Sequence, residues 1–174
     1  GARSIVPPRD IPTVGRFAII ADPQGAGVAL FRSANPSAPP AGAPANGEFT
    51  WFELGSLDAD ASVAFYTRLF GWTLHDTMPM GPDAAYRMFG AGERTFFAIY
   101  PLVGEMAAQA TVPPQWLPYV RVADMARSLD AVRQGGGQVL AEPREIPGGD
   151  HVARCADPFG VQFALHAAAP HAAA

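Results

Sequence analysis

One stretch of this chain occurs twice. Residues 8–30 and 143–165 align without a gap at an offset of 135, and 11 of the 23 positions are identical. Pro8-Arg9-Asp10-Ile11-Pro12 matches Pro143-Arg144-Glu145-Ile146-Pro147, and Ala21-Asp22-Pro23-Gln24-Gly25 matches Ala156-Asp157-Pro158-Phe159-Gly160. Both copies close on Ala-Leu, at Ala29-Leu30 and Ala164-Leu165. Self-similarity at a fixed offset marks a duplicated structural unit. In each copy, apolar segments flank Asp-Pro-x-Gly. An Asp opens the turn, Pro presets φ and Gly accepts a positive φ, so the segments are expected to form a β-hairpin.

The copies lie on either side of a proline-dense stretch. Pro36, Pro39, Pro40 and Pro44 sit among Ala, Ser, Gly and Asn, a density that no helix or central strand tolerates. The expected organisation is a terminal hairpin over residues 1–33, an extended linker over 34–47, a body over 48–168 and a tail over 169–174. The hairpin's apolar set (Phe17, Ile19, Ile20, Val28, Leu30, Phe31) cannot be covered by two strands alone. It is expected to pack on a sheet, either in cis or by exchange in a homodimer.

Within the body, a strand–helix–strand–strand–strand order occurs twice. Strands are expected at 49–54, 72–76, 85–89 and 95–100, with a helix opened by Asp58 or Asp60 and stopped by Gly71. The second half repeats this with strands at 116–122, 138–141, 151–156 and 161–166 and a helix opened by Asp124. The fold class is α+β.

The doubled pattern, Val63-Ala-Phe-Tyr-Thr-Arg-Leu-Phe-Gly-Trp72 and Asp157-Pro-Phe-Gly160 resemble the vicinal oxygen chelate superfamily of glyoxalases, bleomycin-resistance proteins and extradiol dioxygenases. The resemblance covers residues 48–167 and implies two βαβββ modules curled around one cleft. It also implies that residues 8–32 are the last hairpin of a preceding, mostly missing domain of the same kind, as in a branch with two such domains in tandem. The metal-binding positions of that superfamily fall here near Phe49, Ala98 and Pro118 and at Ala164. None has a ligating side chain, so no cofactor is expected. A divalent metal on Glu53, His166 and His151 is the alternative.

Taking those positions as cleft-facing, period-2 alternation assigns the ligand-binding set Phe49, Trp51, Glu53, Phe96, Tyr100, Trp116, Gln162 and His166. This face is either an aromatic binding groove or a filled core. An inward Glu53 requires a cleft, a metal or a partner such as Arg121, and a strand-end His166 is either solvated or part of the site. Cys155 aligns with Ile20, a buried apolar position, and is expected to be inert. His171 lies in the tail.

The expected function is metal-independent binding of a small apolar or aromatic molecule, as in resistance or sequestration. The alternatives are a metal-dependent glyoxalase- or dioxygenase-like enzyme and a structural half of a two-domain enzyme. Net charge is −4 and Lys and Arg are not clustered, which argues against nucleic acid. No apolar run approaches the roughly 20 residues of a membrane span. The first residues lack a signal-peptide pattern and the single cysteine excludes an internal disulfide, so a cytoplasmic location is expected.

Overall fold

A computed structural model describes residues 1–37, 42–104, 107 and 114–169. Parts of the expected linker (38–41) and of the expected tail with His171 (170–174) lie outside the described residues. The elements in chain order are β1 (Arg3–Ile11), β2 (Gly15–Ala21), β3 (Gly27–Ser33), β4 (Phe49–Ser56), α1 (Ala59–Phe70), β5 (Thr73–Gly81), β6 (Ala84–Ala91) and β7 (Arg94–Pro101). They continue with β8 (Trp116–Val122), α2 (Met125–Gln134), β9 (Gln138–Glu145), β10 (His151–Ala156) and β11 (Gln162–Ala167). The architecture is α+β, and βαβββ occurs twice. The chain divides into two compact units, 1–41 with 53–116, and 42–52 with 117–174.

In the first unit the strand order is β5-β6-β7-β4, and a separate sheet has the order β1-β2-β3. The terminal segment expected as a two-stranded hairpin is therefore a three-stranded sheet. Its extra strand, β1, carries Pro7 and Pro8, which read as breakers along the chain. On an edge strand a missing N–H costs nothing, and β1 is an edge. The same reason extends β5 through Pro79 and β9 through Pro143, both on edge strands and both longer than expected.

α1 begins where the Asp58 carboxylate accepts the Ala61 N–H at 2.9 Å and ends at Gly71, whose φ of 69° is the left-handed cap conformation. Asp60, the other candidate cap, instead pairs with Arg87 at 2.6 Å. Behind the helix sits an aromatic core. Trp72 lies 4.3 Å (centroid to centroid) from Phe97, Phe97 stacks on Phe89 at 5.4 Å, and Trp116 meets Tyr66 edge-on at 5.2 Å.

The β2–β3 turn docks on this unit in cis. Asp22 receives the N–H groups of Gln24 and Ala26 on Oδ1 and the Tyr66 hydroxyl on Oδ2 at 3.0 Å. Gln24 reaches into the β4–α1 junction. Its Oε1 accepts from Ser56 Oγ, Leu57 N and Asp58 N, and its Nε2 donates to Asp58 O and Ser62 Oγ. Every hydrogen-bonding group of that amide side chain is engaged.

In the second unit the order is β8-β11-β10-β9, joined by the start of β4. β11 runs parallel to β8, with Ala164 opposite Tyr119 and His166 opposite Arg121. α2 is opened by Asp124, which accepts from Arg127 N at 3.0 Å, and covers Leu129, Ala153, Cys155 and Leu165. Cys155 is fully buried and its thiol pKa is pushed up by that burial, as an inert thiol requires. No helix among the described residues is long and apolar enough to cross a membrane.

Candidate functional site

Glu53 lies on β4 with only 8% of its surface exposed. A carboxylate that deep needs a donor, and it comes from β6. Tyr86 donates to Glu53 Oε1 at 2.6 Å, and the Tyr86 ring stacks on Tyr100 of β7 at 5.9 Å. Ala98, fully buried, occupies the preceding same-face position on β7. The sequence left a cleft, a metal or a partner such as Arg121 open for Glu53. The structure supplies Tyr86 instead, a residue that the sequence places in a strand without marking it.

Two members of the expected ligand-binding set belong to the aromatic core instead. Trp116 rings contact Tyr66, Phe97 and Trp72, and its Nε1–H donates to Tyr66 Oη at 3.1 Å. Phe96 leans on Trp72 at 5.8 Å. Tyr66 is fully buried between Trp116 and Asp22, and its burial pushes the phenol pKa well up.

In the second unit the expected phase of β8 is wrong by one residue. Leu117 and Tyr119, not Trp116 and Pro118, share a face with Ala164, and Trp51 packs there with Val152. A one-residue shift sends every side chain of a strand to the other face. Phe49 is 60% exposed beside Phe52, and Gln162 accepts from Arg154 at 2.8 Å.

His166 is the most constrained polar group of this unit. Its Nδ1 lies 2.9 Å from Thr50 Oγ1 and its Nε2 lies 2.8 Å from Asp150 Oδ2, while Asp150 Oδ1 accepts the Ala169 N–H at 2.8 Å. The carboxylate favours the Nε2–H tautomer, which leaves Nδ1 to accept from Thr50. On protonation both nitrogens donate, and Thr50 turns its proton to the Tyr119 carbonyl at 3.3 Å. The ring keeps both partners in either state. Asp150 went unmarked in the sequence. Its signal is the acidic residue after Gly148-Gly149, where the other copy has Gly15.

The Ala169 N–H and then His166 hold the Asp150 carboxyl below its ordinary value of 3.8. A depressed carboxyl contributes stability above its unfolded pKa, and that contribution is lost as pH falls through the folded value. Asp150→Asn should therefore flatten the dependence of stability on pH below about 4. Urea unfolding between pH 2 and 5 checks this, and parallel curves for the two proteins would show that the pairing has no energetic consequence.

None of the positions that the resemblance implied for a metal (Phe49, Ala98, Pro118 and Ala164) has a ligating side chain, Pro118 lies on the face opposite to Ala164, and the described residues contain no group of three His, Cys, Asp or Glu able to hold one. Glu53, His166 and His151 are not gathered into such a group. Among the described residues, this donor set does not fit a divalent ion.

Residues 48–165 match the family model of the Glyoxalase/Bleomycin resistance protein/Dioxygenase superfamily. The chain belongs to this superfamily. Within it, the chain is 32% identical over 172 residues to a protein of Mycobacterium tuberculosis named as a glyoxylase, CFP32, covering 98% of this chain and 62% of that protein. It is 34% identical over 134 residues to the anthracycline biosynthesis protein DnrV of Streptomyces peucetius, covering 71% of this chain and 46% of that one. The chain thus spans less than two thirds of the curated relatives it matches. Among solved structures of the same fold, the Mn(II)-bound glyoxalase of Novosphingobium aromaticivorans superposes with a TM-score of 0.60 at 16% identity, over 96% of this chain and 55% of that one. Methylmalonyl-CoA epimerase of Streptomyces coelicolor gives 0.51 at 19% identity, over 72% of this chain and all of that one.

Proposed function

We propose that this chain is a metal-independent binding domain of the superfamily, taking a small, largely apolar molecule that carries an aromatic ring and a polar oxygen. The reading rests on one observation, the buried Glu53–Tyr86 pair beside Tyr100 on a strand face whose metal-ligand position is Ala98. The stacked tyrosines offer ring surface to the ligand. Glu53, whose Oε1 already accepts the Tyr86 proton, offers its carboxylate as an acceptor for a ligand hydroxyl where water is scarce and hydrogen bonds discriminate. Resemblance to a protein named for anthracycline biosynthesis supports a polycyclic aromatic ligand. A cytoplasmic location is part of this reading, since nothing in the chain requires an oxidising compartment.

The test is fluorescence titration with a tetracyclic anthracycline aglycone. Saturable binding is expected, weakened about tenfold by Tyr86→Phe and by Glu53→Gln, which is about 1.4 kcal/mol each. Elemental analysis should find far less than one divalent ion per chain. The second reading, a glyoxalase-like metal enzyme, is favoured by the fold-level likeness to the Mn(II)-bound protein and needs donors from beyond the described residues. Near-equimolar metal that is lost in Glu53→Ala, or no binding of aromatic probes, would overturn the proposal.

A further inference from the structure

The loop that joins β1 to β2 holds a conformation that one of its residues resists. Both copies of the repeat make the same turn here: the Val14 N–H donates to Ile11 O at 3.0 Å, and the Gly149 N–H donates to Ile146 O at 3.0 Å. A proline comes second in each turn, and the third residue has a positive φ. In the second copy that residue is Gly148, at 103°, as a turn of this kind demands. In the first copy it is Thr13, at 64°, the one described residue other than glycine with a positive φ. A β-branched side chain is strained there, and such strain concentrates at ligand clamps and other functional positions.

Thr13 lines a cavity of about 460 Å³, the size of a small-molecule site. Three charged side chains line it in a row. Asp10 pairs with Arg16 and Arg16 with Arg32, so all three stand on one face of the terminal sheet. Arg16 Nη1 donates to both Asp10 carboxylate oxygens, at 2.7 and 2.8 Å, which leaves Nε and Nη2 to donate elsewhere. Arg32 has no acceptor among the described residues, although it stands opposite another guanidinium, a pairing that repels. Beside it, Ser33 Oγ accepts the Asn35 N–H at 3.0 Å and keeps its own proton for a further acceptor. The second copy has Glu145, His151, Ala167 and Ala168 at the positions of Asp10, Arg16, Arg32 and Ser33. The excess positive charge belongs to the first copy alone, as does the strained threonine.

We propose that this cavity binds a small organic carboxylate, its charged group held by Arg32, Arg16 and the Ser33 hydroxyl and its carbon body against Ile11 and Pro12. A guanidinium and a carboxylate are both planar and pair through two parallel hydrogen bonds. Asp10 balances one of the two guanidiniums and repels a second negative charge, so a monoanion fits better than a phosphate. Thr13 closes a wall that glycine would leave open. The site shares no residue with the Glu53–Tyr86 pair.

Cyclohexanecarboxylate is the probe, since it brings no aromatic ring for the tyrosines beside Glu53. NMR of the full chain should show saturable amide shifts confined to residues 10–16 and 32–34, and cyclohexanecarboxamide should produce none. Arg32→Gln should weaken binding about tenfold, and inorganic phosphate should bind about tenfold more weakly than the probe. Thr13→Gly should raise the melting temperature and weaken binding about threefold, because it removes strain and cavity wall together. Glu53→Gln should leave binding of the probe unchanged. Equal shifts with the amide, unchanged affinity in Arg32→Gln, or tighter binding of phosphate overturns the proposal. So does a Thr13→Gly protein that is stabilised and binds as before, since the strain would then have no part in the site.

Discussion

Asp22→Ala should cost about 3 kcal/mol of folding stability, and the matching Asp157→Ala only about 1 kcal/mol. Both carboxylates cap the same turn: Asp22 Oδ1 accepts from Gln24 N and Ala26 N, and Asp157 Oδ1 accepts from Phe159 N and Val161 N, all at 2.9 Å. Only Asp22 is also buried, at 4% exposure, and only it receives the Tyr66 hydroxyl. Removing it leaves the Tyr66 hydroxyl proton and the buried Ala26 N–H without acceptors, in addition to losing the cap. At about 2–4 °C per kcal/mol for a chain of this size, the melting temperatures should fall by roughly 6–12 °C and 2–4 °C respectively. Thermal melts of both variants in one buffer decide it. Equal shifts would mean that docking of the turn on α1 contributes nothing beyond its local geometry.

Phe97→Ala should cost about 4 kcal/mol, in the range for removing a buried aromatic ring. Phe97 is 1% exposed and touches Trp72, Phe89, Phe96 and Trp116 with its ring. Its loss leaves a hole between two tryptophans, so their emission should shift to the red as unfolding moves to lower urea. Phe159→Ala is the control. That ring stands 92% exposed at a turn, and its removal should change stability by no more than about 0.5 kcal/mol. A loss below 1 kcal/mol at Phe97 would show that the rings are not packed as a core.

What was legible in the sequence was what local chemistry repeats. The Asp-Pro-x-Gly turns, the Asp58 and Asp124 helix starts and the Gly71 stop depend on neighbours along the chain, and each lies where its residue type requires. The strands β1, β5 and β9 were missed or cut short because a proline reads as a breaker until its strand is known to be an edge, and edge status is a property of the whole sheet. The phase of β8 failed for a related reason. Pro118 was placed on the cleft face through the likeness to other proteins, and the pairing of Tyr119 with Ala164 sets the opposite phase. Glu53 was legible as a residue in need of a partner, but Tyr86 as that partner was not, since the two lie 33 positions apart on different strands. Asp150, 16 positions before His166, was equally hidden, because nothing local ties them.

The seat of the Asp22-Gln24 turn has a consequence for how the chain is made. Ser62 and Tyr66 follow the residues they hold by 38 and 44 positions. At a synthesis rate of about 5–20 residues per second, the first three strands, complete at Ser33, wait roughly 2–7 seconds before their seat at Tyr66 has been polymerised. A three-stranded ribbon whose Ala21, Asp22 and Ala26, buried in the finished fold, are still in water is in that interval an adhesive nascent segment. Synonymous codons that slow translation between residues 33 and 66 would lengthen the exposure, so expression yield and demand for holding chaperones should depend on codon speed in that window.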